Sequence, residues 1–187
     1  MKTIYLMRHG ETLFNVMDVN QGQCDSPLTE NGIQQALAAR AWYQKNHIHF
    51  DSVYCSSAER AMDTAELVSQ VSEPHRMKGL KEIFLGTKEA TPNCYNPPYP
   101  YADYFVPYGG ESLEACTERI YNTVKQIADA ENGEVILIVS HGMAIRRFMT
   151  AINYDGGDIG FLGNCGVIHL EYENGQFSVK EIIHSLE

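Results

Sequence analysis

Two short apolar runs, Ile4-Tyr5-Leu6-Met7 and Val135-Ile136-Leu137-Ile138-Val139, read as buried strands, and each runs out into a histidine followed by a glycine: Arg8-His9-Gly10 and Ser140-His141-Gly142. Between them the apolar period lengthens. Ile33, Ala36, Leu37 and Ala41 predict a helix over about 30–45, with Thr29 as N-cap and Glu30 in the first turn. Gly32 inside that turn costs about 1 kcal/mol relative to alanine, so some backbone or ligand is expected to pass close by. Asp51 to Cys55 reads as a strand; Ser56-Ser57 can cap a helix whose Ala61, Ala65 and Val68 share a face, with Arg60 in its first turn. A further strand falls near Met77 to Leu80, just before Glu82. Leu113, Cys116, Ile120, Val124 and Ile127 predict a helix over about 111–130, and Met143 to Ile152 another. Val167 to Tyr172 and Phe177 to Ile183 flank Glu173-Asn174-Gly175 as a hairpin. Strands alternating with helices predict an α/β fold, a three-layer sandwich with a largely parallel central sheet flanked by helices.

Composition narrows the class. A chain of 187 residues, 44% hydrophobic and 20% charged, is expected to form one domain spanning 1–187. A net charge of -10 disfavours nucleic acid and anionic membranes as partners, but not a small anion held by a local cluster of arginines. The longest aliphatic run is too short to span a bilayer. Five scattered cysteines without a Cys-x-x-Cys pair signal neither disulfides nor zinc, and with no secretory pattern the cytoplasm is the default location. Residues 88 to 110 hold five of the seven prolines and five of the eleven tyrosines, including Tyr99, Tyr101 and Tyr104. Such a loop is expected to form a wall of a substrate pocket, with 83–110 acting as a cap.

Three strand ends supply Arg8, His9, Arg60 and His141. A cation in the first turn of a helix is normally unfavourable, so Arg60 is either solvated or accompanied by an anion. Two guanidiniums can grip phosphate oxygens with forked donors, and a neutral imidazole beside them is a competent nucleophile. The same arginines would repel a metal ion, and no third ligand joins the two histidines, so neither metal nor cofactor is implied. Arg146 and Arg147 read as an exposed helix face.

Six ordered blocks then carry a resemblance. They are Arg8-His9-Gly10-Glu11-Thr12; the following stretch of Asn15, Gln21-Gly22, Asp25, Pro27-Leu28-Thr29, Gly32 and Gln35-Ala36; Ser56-Ser57 with Arg60-Ala61 and Thr64-Ala65; Leu80-Lys81-Glu82-Ile83; Gly110-Glu111-Ser112; and Ser140-His141-Gly142. The chain resembles the histidine phosphatase superfamily, in the branch similar to cofactor-dependent phosphoglycerate mutase. The resemblance implies a phosphoglycerate mutase-like fold and a metal-independent phosphomonoesterase acting through a phosphohistidine on small phosphorylated metabolites. It implies His9 as nucleophile, Arg8, Arg60 and His141 holding the phosphoryl oxygens, and Glu82 as acid and base. Asn15, Gln21, Gly22, Glu111 and Gly142 would contact substrate. The sequence departs from many relatives at Gly86-Thr87-Lys88-Glu89-Ala90, where they carry Glu-Gly. Two rivals stay open: a mutase, disfavoured because 83–110 offers only Lys88 as a base, and a non-catalytic phosphate or phosphopeptide binder. Oligomeric state is not indicated.

Overall fold

A computed structural model describes residues 1–156, 159–160 and 162–186. Strands β1 (Lys2–Arg8), β2 (Ser52–Ser56), β3 (His75–Met77), β4 (Val135–Ser140), β5 (Val167–Glu173) and β6 (Gln176–Ile183) form one sheet in the order β3-β2-β4-β1-β5-β6. The pairs from β3 to β1 are parallel, whereas β1–β5 and β5–β6 are antiparallel, so the sheet is mixed. The antiparallel half is the predicted hairpin, whose Asn174 and Gly175 both lie at positive φ, as a tight primed turn requires.

Helices α2 (Glu30–Lys45), α3 (Glu59–Ser69), α4 (Leu113–Ala130) and α5 (Gly142–Ala151) cover the sheet, and a one-turn α1 (Leu13–Val16) lies between β1 and α2. Thr12 and Asn15 make that turn with a reciprocal capping box. β4 is buried on both faces along Ile136 to Ser140, which explains its unbroken aliphatic run. One face packs Ile4, Leu6, Ile136 and Ile138 against α4 and α5 through Ile120, Val124, Ile145 and Phe148. The other packs Met7, Leu137 and Val139 against α2 and α3 through Ala36, Ala39, Tyr43, Ala61, Ala65 and Val68.

Local details depart from the sequence reading. The inward face of α2 is Gly32, Ala36, Ala39 and Tyr43, and Ala41 is exposed: the helix approaches the sheet so closely that small side chains, rather than the larger aliphatics, set the contact. Neither Ser56 nor Ser57 caps α3. Its N-cap is Ala58, and Ser56 is the last residue of β2. The third strand comes earlier than expected, and Lys78–Leu80 is a 3-10 turn. Residues 83–110 contain short 3-10 turns at Gly86–Lys88, Asn93–Tyr95 and Val106–Tyr108. Among the described residues, no helix is long and apolar enough to cross a membrane.

Candidate active site

Arg8 pairs with Ser140 across the parallel β1–β4 ladder, so His9 and His141 leave the sheet side by side. Their rings lie 5.2 Å apart, close to the spacing of neighbouring strands of about 4.8 Å. Both lie at the carboxyl edge, where parallel sheets place their ligand sites. The backbone beyond His9 is tightly framed. Gly10 N–H donates to Thr64 Oγ1 at 3.0 Å, Glu11 N–H donates to Gln35 Oε1 at 2.9 Å, and Thr29 N–H donates to Glu11 O at 2.9 Å. The backbone expected near Gly32 is that of Glu11, whose oxygen would stand 2.0 Å from a Cβ built on the glycine.

His9 Nδ1 lies 2.7 Å from Gly10 O. A carbonyl only accepts, so Nδ1 carries the proton and Nε2 keeps a free lone pair. Burial, then the charges of Arg60 and Arg8, hold the imidazole well below its ordinary pKa of 6.5, so it is neutral. His141 is fully buried and held neutral by burial and then by Arg60. Ser56 Oγ accepts from Ala58 N–H and so turns its own proton to His141 Nε2 at 2.8 Å. That leaves His141 Nδ1 as a donor, and it has no hydrogen-bond partner among the described residues.

The two guanidiniums are held differently. Arg8 Nη1 donates to Leu162 O at 2.8 Å. Arg60, only 1% exposed, is gripped from one side: Nη2 donates to Gly22 O at 2.8 Å, and Nη1 to Cys24 O at 2.9 Å and to the Asp25 carboxylate at 2.8 Å. Its buried Nε has no partner among the described residues. Asp25 is thus the counter-ion that makes a cation tolerable in the first turn of α3.

Glu82 reaches the N-terminus of α5. Oε1 accepts from Ile83 N–H (2.9 Å) and Ala144 N–H (2.8 Å), and Oε2, among the described residues, from Met143 N–H alone (3.0 Å). Arg119 fixes the segment that delivers it, donating to the carbonyls of Gly79, Lys81 and Glu82 while paired with Glu111 at 2.6 Å.

A cavity of about 480 Å³ opens over these groups and is lined by Arg8, His9, Asn15, Gln21, Gly22, Arg60, Glu82 and Gly142. Its outer wall includes Tyr99, Tyr101, Phe105, Leu113, Met143 and Arg146. Two expected contacts look different in place. Glu111 does not line the cavity, because its carboxylate is engaged by Arg119 and the Phe84 N–H. Gln21 lines it, but its amide is shared between Thr12 and Ser26. Of the tyrosines, Tyr99 and Tyr101 line the wall, whereas Tyr104 packs on Phe105 and Tyr108 outside it.

The sequence reading missed three residues. Arg146, read as exposed, is a cavity residue whose guanidinium lies 4.7 Å from the Tyr99 ring centre. Arg119 was detectable as a cation beside the apolar stripe of α4. Asn164, whose amide donates to His9 O at 3.1 Å, carried no pattern at all.

Comparisons with known proteins bear on the family and the fold. A metal-independent phosphoserine phosphatase of Arabidopsis thaliana is 31% identical over 182 residues, 89% of this chain and 76% of the relative. A variant phosphoserine phosphatase of Entamoeba histolytica, solved with phosphoserine, superposes with a TM-score of 0.81 at 26% identity, covering 98% of this chain and 97% of that one. A phosphoglycerate mutase of Bacillus anthracis gives a TM-score of 0.85 at 25% identity, covering 99% and 93%. The profile of the histidine phosphatase superfamily (branch 1) matches residues 4–184, and the chain belongs to that family.

Proposed function

We propose that the protein is a metal-independent phosphomonoesterase that transfers the phosphoryl group of a small phosphorylated metabolite to His9 and then to water. The observation that carries this reading is the His9–Gly10 hydrogen bond, which presents a neutral Nε2 lone pair beside two guanidiniums. In the first step Nε2 bonds to phosphorus as the bond to the leaving oxygen breaks, and that oxygen takes a proton from Glu82. Oε2, with one backbone donor against two on Oε1, is the atom we assign to this proton. In the second step water attacks the phosphohistidine, Glu82 accepts its proton, and His9 is restored with inorganic phosphate released. On this reading Arg8, Arg60 Nε and His141 Nδ1 donate to the charge on the phosphoryl oxygens. Asn15 and Gly142 line the same cavity, while residues 83–110 supply a cap whose Tyr99 and Tyr101 face the leaving group.

Hydrolysis rather than transfer is favoured because Lys88 does not line the cavity: its ammonium sits over the Tyr108 ring at 4.2 Å. The mutase reading draws support from Arg146, a further cation on the cavity wall, which suits a second anionic group on the substrate. Phosphoserine and phosphoglycerates, named for the relatives above, are therefore the first substrates to assay. Five unpaired cysteines fit a cytoplasmic setting.

Rapid quench during turnover of a phosphorus-labelled substrate should trap an acid-labile, alkali-stable label on the peptide containing His9. His9→Ala should abolish both label and turnover, and chelation should leave both intact. Label on serine or cysteine would refute the assignment, and isomer formation without phosphate release would make the enzyme a mutase.

A further inference from the structure

Glu89 lies outside the cavity lining, on the cap segment that begins just after Glu82. Its carboxylate is nevertheless committed to the loop that grips Arg60. Oε1 accepts from Gln23 N–H at 2.6 Å and from Leu85 N–H at 3.4 Å, and Oε2 accepts from Cys24 N–H at 2.9 Å. The opposite side of the same loop turns the Gly22 and Cys24 carbonyls to the Arg60 guanidinium. One peptide group, Gly22–Gln23, is therefore bonded at both ends: its N–H to the Glu89 carboxylate and its C=O to Arg60 Nη2, at 2.6 and 2.8 Å. Charge-assisted bonds at both ends polarise the peptide in one direction, so each strengthens the other.

The loop is built around this carboxylate. Gly22 has φ +55, and a Cβ there would stand 2.5 Å from Glu89 Oε1. A glycine beside the peptide would also let it rotate freely were the carboxylate removed, and such a rotation takes the Gly22 carbonyl away from Arg60. The guanidinium would then be drawn toward Asp25, which is more than a quarter exposed.

We propose that Glu89 is a positioning residue for phosphoryl transfer, fixing the Arg60 guanidinium through the Gly22–Gln23 peptide. This rests on the reading of Arg60 as a phosphoryl-holding group. It also ties the cap to the chemistry, since displacement of the cap segment that carries Glu89 is felt at Arg60.

The test is a double-mutant cycle read by kcat/KM on p-nitrophenyl phosphate and by the Kd of orthovanadate, a mimic of the phosphoryl group in flight. Glu89→Ala should weaken both by about 10- to 100-fold, the range expected for an ångström-scale misplacement. Arg60→Ala should weaken both by more, and the double variant should be no worse than Arg60→Ala within about twofold, because a lever without its load does nothing. Glu89→Gln, which keeps one acceptor oxygen, should recover part of the loss. If Glu89→Ala does not fold, the cycle is run with Glu89→Gln. Additive losses, or unchanged vanadate affinity beside a lowered melting temperature, would overturn the inference alone. An Arg60→Ala enzyme with wild-type values would overturn the reading of the site, and this inference with it.

Discussion

Gly32→Ala sets two magnitudes against each other. Alanine is worth about 1 kcal/mol over glycine inside a helix, so propensity alone predicts a stabilised protein. The structure predicts the reverse. The new Cβ would meet Glu11 O at 2.0 Å and Glu11 N at 2.8 Å, both backbone atoms that cannot rotate aside. Ordinary van der Waals contact begins at 3.4 Å, so the two segments must part by about 1.4 Å. Overpacking of this kind costs about 1–3 kcal/mol, and the Thr29–Glu11 backbone bond that closes the contact is worth about 1 kcal/mol more. The net expectation is a loss of about 1–3 kcal/mol. Glu11 is two residues from His9, and the intervening Gly10 itself would carry a Cβ 2.7 Å from Gly32 O, so the strain reaches the nucleophile. Turnover should fall about 100-fold even where the variant is fully folded. Urea unfolding gives the first quantity, and kcat on p-nitrophenyl phosphate, measured well below the unfolding midpoint, gives the second. Gly142→Ala is the contrast: its nearest neighbour, Arg8 Nε, stands at 3.5 Å, so stability should hold. Wild-type stability and turnover in Gly32→Ala would refute the argument from close approach.

Two further outcomes follow from local geometry. Ala90 is a non-glycine residue at φ +57; Ala90→Gly should stabilise by up to about 1 kcal/mol after the added freedom of the unfolded chain is counted, whereas Ala90→Val should destabilise, both read by urea midpoint. In histidine-labelled protein, the His9 and His141 resonances should not titrate near 6.5, and Arg60→Met should raise the His9 pKa; a folded chain that keeps these rings neutral binds fewer protons than the unfolded chain, so stability falls as pH drops below about 6.5.

The sequence conveyed the strands and helices because burial on a sheet or one helix face imposes a period, and β4 and α4 obey it fully. It misplaced the buried face of α2, where close approach selects Gly32, Ala36 and Ala39 and so leaves a weak apolar signal. His9, His141, Arg8 and Arg60 were legible as a group because their neighbours are fixed by the same turn: Gly10, Gly32, Thr29 and Gln35 all hold the backbone beyond His9. Glu111, Arg119 and Arg146 could not be sorted from sequence. Whether a charge faces a cavity or another charge depends on contacts between distant segments, such as Arg119 reaching the carbonyls of Gly79 and Lys81.

The two histidines owe their separation to a backbone ladder in the middle of the sheet, with aliphatic layers above and below. The cap is tied down by scattered bonds rather than a continuous ladder: a few backbone bonds from Asp18 and Asn20 to Ala90, Thr91 and Asn93, the side chains of Asn20 and Asn96, and the carboxylate of Glu89. Regions that open separately do so in order of what holds them, weakest first. As denaturant rises, the enzyme should therefore become indiscriminate before it becomes inactive, still cleaving a small reactive ester, at the lowered rate that release of Glu89 from the Arg60 loop leaves it, after it has ceased to tell one alcohol from another. Selectivity and chemistry would then have separate midpoints, and the interval between them would measure how independently the cap is attached to the machine beneath it.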